Sequence, residues 1–273
     1  MSINNIQASV IVKEIPTEGH SPLLIIGSDY KKYVAKNGKG HKPPITIINE
    51  CLANHLLKCW DMQVPDFSLV HFSKELILAN ELSKFHRPGV YDELAFGSAY
   101  LENVTDVNDF SFAMRKSTFN KFNNPLVFFR IALFDAWIEN DDRRPTNYNL
   151  LFQSVDNLFN IIPIDHAFIF STLDYDDLNP DNFWPSSNEH LLVSELAYLF
   201  KKYIRINDDL IRNEKQYFYF CVDKCEKTVD NFLAELADFI ELSEESRIKI
   251  RKFLFNKERN KKVFDEYVFR LEQ

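Results

Sequence analysis

Cysteine is scarce: Cys51, Cys59, Cys221 and Cys225 are the four in 273 residues. Cys221 and Cys225 stand at C-x-x-x-C spacing with no histidine beside them, which argues against a zinc site. The four read as reduced, packed thiols of a cytoplasmic protein. Positive charge is in deficit. A formal charge of -8 disfavours general nucleic-acid binding, because a phosphate polyanion is drawn by an excess of Lys and Arg. No helix-turn-helix signal is legible either. Long apolar runs are missing, and the nearest approach, Pro125 to Ile138, is broken by Arg130 and Asp135, so no membrane span is expected. The opening residues Met-Ser-Ile-Asn-Asn-Ile-Gln lack the basic and apolar pattern of a signal peptide.

What is abundant is material for a core. The chain is 45% hydrophobic and 14% aromatic with 25 Phe, which argues against disorder. At this length folding buries roughly 75% of the unfolded surface, enough for one two-lobed unit or two tightly joined domains. We expect an N-terminal part over residues 1–100 and a C-terminal part over 101–273.

Residues 7 to 15, Pro22 to Ile26 and Tyr30 to Lys36 read as three strands joined by turns, the first turn being Glu18-Gly19-His20-Ser21. They suggest a small antiparallel sheet. Residues 45 to 60 follow as a helix that is apolar around most of its circumference and therefore enclosed. Glu50 shares a side with Ile47, Asn54 and Leu57. A semi-buried acid needs a cation, and Lys36, at the end of Tyr33-Val34-Ala35-Lys36, is the nearest upstream candidate.

The densest chemistry lies between residues 134 and 170. The apolar helix from Pro125 to Glu139 leads into a polar, Pro-containing stretch that holds Asp142, Arg143 and Asn147, so these share one short loop. Tyr148 to Phe152 and Leu158 to Ile164 read as strands around an Asp156-Asn157 turn, which returns Asp165 beside that loop. One carboxylate to take a hydroxyl proton, with a carboxamide and a second carboxylate for hard cations, is what phosphoryl transfer requires.

Asp142-Arg143-x-x-x-Asn147 followed by Ile164-Asp165-His166 resembles the catalytic and metal-binding segments of HipA-like kinases and, more distantly, of phosphatidylinositol 3- and 4-kinases. Gly19-His20-Ser21-Pro22, Tyr33-Val34-Ala35-Lys36, Asn49-Glu50 and Val64-Pro65 are similar to the N-terminal lobe of the HipA-like family in the same order. The resemblance spans about residues 7 to 170. It implies an α+β, two-lobed protein-kinase-like fold: a small antiparallel β N-lobe with one buried helix, a mainly helical C-lobe, and an ATP-Mg2+ cleft between them. A charge of -8 is compatible with ATP, because metal ions and a few local cations mask its phosphates.

By resemblance, Gly19, His20 and Ser21 would approach the phosphates, Lys36 would bind the inner ones and Glu50 would orient Lys36. Asp142 would handle the acceptor proton, Arg143 would neutralise charge near the transferred group or brace the loop, and Asn147 and Asp165 would hold Mg2+. Ser21 is equally a serine at a turn before proline, or a self-phosphorylation site. The chain departs from ordinary protein kinases in lacking His-Arg-Asp, Asp-Phe-Gly and Ala-Pro-Glu. The resemblance suggests a serine/threonine kinase acting on a protein substrate, with an antitoxin or other regulatory partner. A lipid or small-molecule kinase and an ATP-binding pseudokinase are the alternatives.

Asp135 is expected to cap backbone at its helix end or to brace the loop that follows. Ala95 to Tyr100, which resembles a Phe-Gly-Ser element of HipA-like domains, is expected to line the nucleotide cleft near the lobe connection or to form a hinge-proximal turn. Helices are expected from Phe110 to Phe119 and through residues 190 to 273, with a break at Cys221. The basic residues between Arg247 and Lys262 alternate with acids and apolar groups, as a solvated helix face does.

Overall fold

A strand-rich unit and a helix-rich unit divide the computed structural model, which describes residues 3–17, 21–107, 115–183 and 190–273. The first unit takes in residues 1–55, 65–101 and 231–243, and the second takes in 56–64, 102–230 and 244–273.

In the first unit, β1 (Asn5–Glu14), β2 (Leu23–Gly27), β3 (Lys32–Lys36), β4 (Phe67–His71) and β5 (Ala95–Ala99) close into a barrel in the order β1-β2-β3-β5-β4. The expectation of a wholly antiparallel sheet is corrected: β1 and β4 pair in parallel, Ile6 opposite Val70. Alternating burial identifies a strand but not its partner, and the parallel neighbour arrives only after a long crossover. That crossover carries the helix α1 (Ile45–Cys59), and α2 (Lys74–Leu78) follows β4.

The turn that was one expectation for Ala95 to Tyr100 is instead β5, which pairs with both β3 and β4. Gly97 mimics a turn signal, since glycine usually punctuates strands. Here a Cβ would lie 2.5 Å from Val70 Cγ2, so the glycine admits a close approach inside the barrel. Ile6, Leu23, Ile25, Tyr33 and Val70 fill the interior.

The second unit is built on α4 (Leu126–Ile138), preceded by the short strand β6 (Val104–Asp106) and the one-turn α3 (Lys116–Phe119). Part of the helix expected from Phe110 lies outside the described residues. α4 has no polar face: Phe128, Phe129, Ile131, Leu133, Phe134 and Trp137 are all buried. It ends at Glu139 in a left-handed conformation. β7 (Leu150–Val155) and β8 (Leu158–Pro163) form the expected hairpin, and β6 adds a third strand. Asp156 and Asn157 both have positive φ, 49° and 63°, as the two-residue turn matching strand twist requires.

Four helices complete the described chain: α5 (Glu195–Lys201), α6 (Asp208–Ala237), α7 (Glu244–Leu254) and α8 (Lys257–Glu272). The break expected at Cys221 is absent, and α6 runs unbroken for 30 residues. Buried Phe218, Cys221, Cys225, Val229, Phe232 and Leu236 keep helical spacing through it, with no Gly or Pro to interrupt. Basic side chains of α7 are met by acids: Lys249 lies 3.0 Å from Asp176, and Arg251 3.0 Å from Glu226. Among the described residues, no helix is long and apolar enough to cross a membrane.

His190, just before α5, is buried, and its Nδ1 accepts a hydrogen bond from Leu192 N at 3.1 Å. Burial, with the Arg270 and Lys201 cations nearby, pushes its pKa down to about 3 from 6.5. Folded His190 thus stays neutral where the unfolded chain takes up a proton. Its contribution is complete above pH 6.5 and declines as pH falls from there toward 3. The loss should approach about 1.4 kcal/mol per pH unit, read from urea denaturation at a series of pH values. In His190→Asn, which keeps an acceptor for Leu192 N, that part of the slope should vanish.

Candidate active site

Lys36 closes β3 opposite Phe96 of β5, and its Nζ lies 2.7 Å from Glu50 Oε1 on α1. Glu50 is almost wholly buried, its side chain 4% exposed, while Lys36 keeps 19%. The lysine therefore reaches solvent from a position fixed by an acid that does not. Gly19 and His20 lie outside the described residues. Ser21 is buried in a left-handed conformation, φ 43°, and its N–H donates to Thr17 Oγ1 at 3.0 Å. Its side chain hydrogen-bonds the carboxylate of Glu14. Glu14 also accepts from Ser83 N at 3.0 Å and Ser83 Oγ at 2.7 Å. Burial pushes the Glu14 carboxyl up, but these bonds and His86 outweigh it and hold the group below its ordinary value.

In the second unit, the loop from Asn140 to Asn149 joins α4 to β7. Pro145 sits inside a tight turn in which Arg144 N donates to Asn147 O at 3.1 Å and Asn147 N to Arg144 O at 2.9 Å. The turn faces Asn147 back toward Asp142. Asp142 Oδ2 accepts from Asn147 Nδ2 at 3.2 Å and from Asn149 Nδ2 at 2.8 Å. Asn147 Nδ2 also reaches the Asp142 carbonyl at 3.2 Å. Two carboxamides thus hold the carboxylate as an acceptor, and with its nitrogen so engaged, Asn147 presents its oxygen elsewhere.

Asp165 follows β8. Its predecessor Ile164 donates to Asn149 O at 3.0 Å, which ties the approach to Asp165 to the end of the loop. Asp165 has φ 58°, a conformation a non-glycine residue adopts at a cost.

Arg143 points into the protein, with 1% of its surface exposed. Its guanidinium donates to Asp135 Oδ2 at 2.6 Å, Tyr148 O at 2.9 Å, Ile164 O at 3.2 Å and also Asn149 O. It reaches His166 Nε2 at 2.8 Å, and since arginine only donates, that nitrogen is the acceptor and the neutral ring carries its proton on Nδ1. Of the two expectations for Arg143, the geometry fits the second: a guanidinium buried among backbone carbonyls braces the loop. Of the two readings of Asp135, the geometry again fits the brace, and its carboxylate is not a backbone cap. Its carboxylate binds two side chains, Arg143 and, at 3.0 Å, Asn140 Nδ2. Burial pushes the Asp135 carboxyl up, against the pull of the Arg143 charge.

Sequence reasoning missed Asn149 and Asn140. Asn149 falls inside the strand expected from Tyr148, whereas β7 starts only at Leu150 and leaves Asn149 in the loop; its place two residues after Asn147 was the available signal.

The family model for HipA-like kinase matches residues 9–190, more than half the chain. The chain belongs to the HipA-like kinase family. No curated protein was matched by sequence. Among solved structures, the Helicobacter pylori proinflammatory kinase CtkA is similar at 14% identity and TM-score 0.61, covering 98% of this chain and 98% of that one. The Golgi casein kinase with Mn/ADP bound is similar at 11% identity and TM-score 0.49, over 99% of this chain and 74% of that one. HipA, in its complex with HipB and operator DNA from Shewanella oneidensis MR-1, is similar at 13% identity and TM-score 0.39, over 88% and 57%. The likeness to CtkA shows the kinase fold, including α5 to α8, which lie beyond the HipA-like match.

For a HipA-like kinase, the question at this loop is whether its donors suit a divalent cation. Among the described residues no three His, Cys, Asp or Glu side chains gather as a metal cage. A Mg2+-type ion needs none, taking one or two carboxylates with the remaining oxygens from phosphates and water. The carboxamide oxygen of Asn147 and the carboxylate of Asp165 are hard donors of that kind.

Proposed function

We propose that this HipA-like kinase is an ATP- and Mg2+-dependent serine/threonine protein kinase in which Lys36, Glu50, Asp142, Asn147 and Asp165 act on one nucleotide. The observation that carries the reading is the Asp142 carboxylate, oriented by the amides of Asn147 and Asn149 at 3.2 and 2.8 Å. A carboxylate so held is a fixed proton acceptor for an incoming hydroxyl. As that oxygen bonds to the γ-phosphorus, its proton passes to Asp142, the bond from the γ-phosphorus to the bridging oxygen breaks and ADP departs. Lys36, aimed by Glu50, would steady the inner phosphates, and Ser21 would be a further phosphate contact. Asn147 and Asp165 would hold Mg2+, which when bound neutralises phosphate charge.

Arg143 enters as a positioning residue, through its bonds to the carbonyls flanking Asn149 and Asp165. The proposal extends to a cytoplasmic location, a reading supported by the four free cysteines. On family resemblance alone, the proposal extends to a regulatory partner of antitoxin type and to a growth-arresting role.

Incubation of the protein with γ-labelled ATP and cell lysate tests the reading. A labelled protein band carrying phosphoserine or phosphothreonine is expected. Label confined to a lipid or metabolite would replace the substrate class. ATP binding without any transfer would make the chain a pseudokinase.

A further inference from the structure

Glu139 occupies the left-handed position at the end of α4, φ 49° and ψ 60°, where glycine is the ordinary occupant. A glutamate there needs a reason in its side chain, and two side-chain attachments, beside one from the backbone, supply it. Its carbonyl accepts from Ser171 N at 2.9 Å, and its Oε2 accepts from Ser171 Oγ at 2.9 Å. Its Oε1 lies 2.9 Å from Arg259 Nη2 on α8, a pair whose side chains are 8% and 0% exposed.

Arg259 is itself immobilised. Nη2 also donates to Trp137 O at 2.8 Å, the guanidinium carbon lies 3.8 Å from the Phe253 ring centre, and its backbone N–H is capped by Asn256 at 2.8 Å. Neither Glu139, Arg259 nor Ser171 is used in the reaction as described.

The segment on the far side of this contact is unusual. Phe170, Ser171 and Thr172 have φ of 60°, 52° and 58°, three consecutive left-handed residues, one of them β-branched. Such a run persists only where surrounding contacts over-determine it. Phe170 is buried against Phe253 and Tyr175, and the polar contacts to the loop are the two bonds from Ser171 to Glu139, with a second backbone rung, Asp141 N to Phe168 O at 3.3 Å, beside them.

Asp141 immediately precedes Asp142, and Phe168 stands three residues after Asp165. Glu139 therefore sits where the segment leaving Asp165 is fastened to the start of the loop that carries Asp142.

We propose that Glu139 is a positioning residue, anchored by Arg259 and Ser171 so that the Asp142 loop and the segment from Asp165 to Thr172 open and close as one body. The kinetic consequence rests on the phosphotransferase reading above; the mechanical one does not. If the two acids are to act on one nucleotide, their spacing must survive thermal motion, and a small misplacement of either lowers turnover without touching binding.

Hydrogen exchange and kinetics on full-length Glu139→Ala, Glu139→Gln and Ser171→Ala test this. In Glu139→Ala, exchange in peptides spanning 140–149 and 164–173 should accelerate together by roughly tenfold or more. Its kcat should fall by about 100-fold, with the KM for ATP little changed. Glu139→Gln should recover most of both, because a carboxamide can still accept from Arg259 while donating to Ser171 Oγ. Ser171→Ala keeps the Arg259 pair, so it should fold normally and show a smaller joint acceleration, which serves if Glu139→Ala does not fold.

Acceleration in one peptide only, or a lowered Tm with both peptides and kcat unchanged, would overturn the proposal and leave a merely structural ion pair. Were the wild type to transfer no phosphate, the functional reading would fail, and exchange alone would still decide whether the two segments are coupled.

Discussion

Asp142→Asn should keep Mg-ATP binding and lose phosphoryl transfer by about two to four orders of magnitude, the usual weight of a positioned proton acceptor. The geometry makes this substitution informative. Asn147 and Asn149 donate to Asp142 Oδ2, and the carbonyl oxygen of an asparagine at 142 can accept from the same two amides. Loop shape is then retained, while a carboxamide cannot take the hydroxyl proton. Single-turnover rates with γ-labelled ATP, set beside a calorimetric Kd, separate the two effects. Transfer near the wild-type rate would remove Asp142 from the chemistry.

The largest stability effect is expected at Arg143. An Arg143→Met variant would leave Asp135, 4% exposed, as a buried carboxylate with only Asn140 to answer it. Breaking a buried pair in this way costs about 3–5 kcal/mol. The carbonyls of Tyr148, Asn149 and Ile164 and the His166 ring lose a donor as well. Against a total stability of about 5–15 kcal/mol, that is a substantial fraction, and Tm should fall by on the order of 10 °C.

Thermal and urea denaturation read the effect directly. Removing the acid too, in Asp135→Leu with Arg143→Met, should recover part of the loss, because no buried charge is then left unpaired. Unchanged stability with abolished transfer would instead return Arg143 to a place beside the transferred group.

Much of this is legible in the sequence. The hairpin from Leu150 to Pro163 announced itself through Asp156-Asn157, and the α1 acid through its position on an otherwise apolar helix. Local chemistry fixed those features within a few residues. What escaped was decided at long range. Nothing between Asn5 and Glu14 indicates a parallel partner sixty residues later, and Gly97 looks like a turn until Val70 is seen against it.

The direction of Arg143 was ambiguous for the same reason. A guanidinium in a polar loop faces solvent unless an acid waits inside, and Asp135 is placed there by the helix packing of α4. Glu139 and Ser171 meet across thirty residues with no periodic pattern to pair them.

The proposal that Lys36 and Asp165 serve one nucleotide is tested most directly by calorimetric titration of Mg-ATP into wild type, Lys36→Ala, Asp165→Ala and the double variant. Each single change should weaken binding by a measurable factor, with removal of Mg2+ mattering far less once Asp165 is gone, and the double variant should bind least. If ATP bound each variant as tightly as wild type, or if only one of the two positions mattered, the lysine and the acid would not share a ligand.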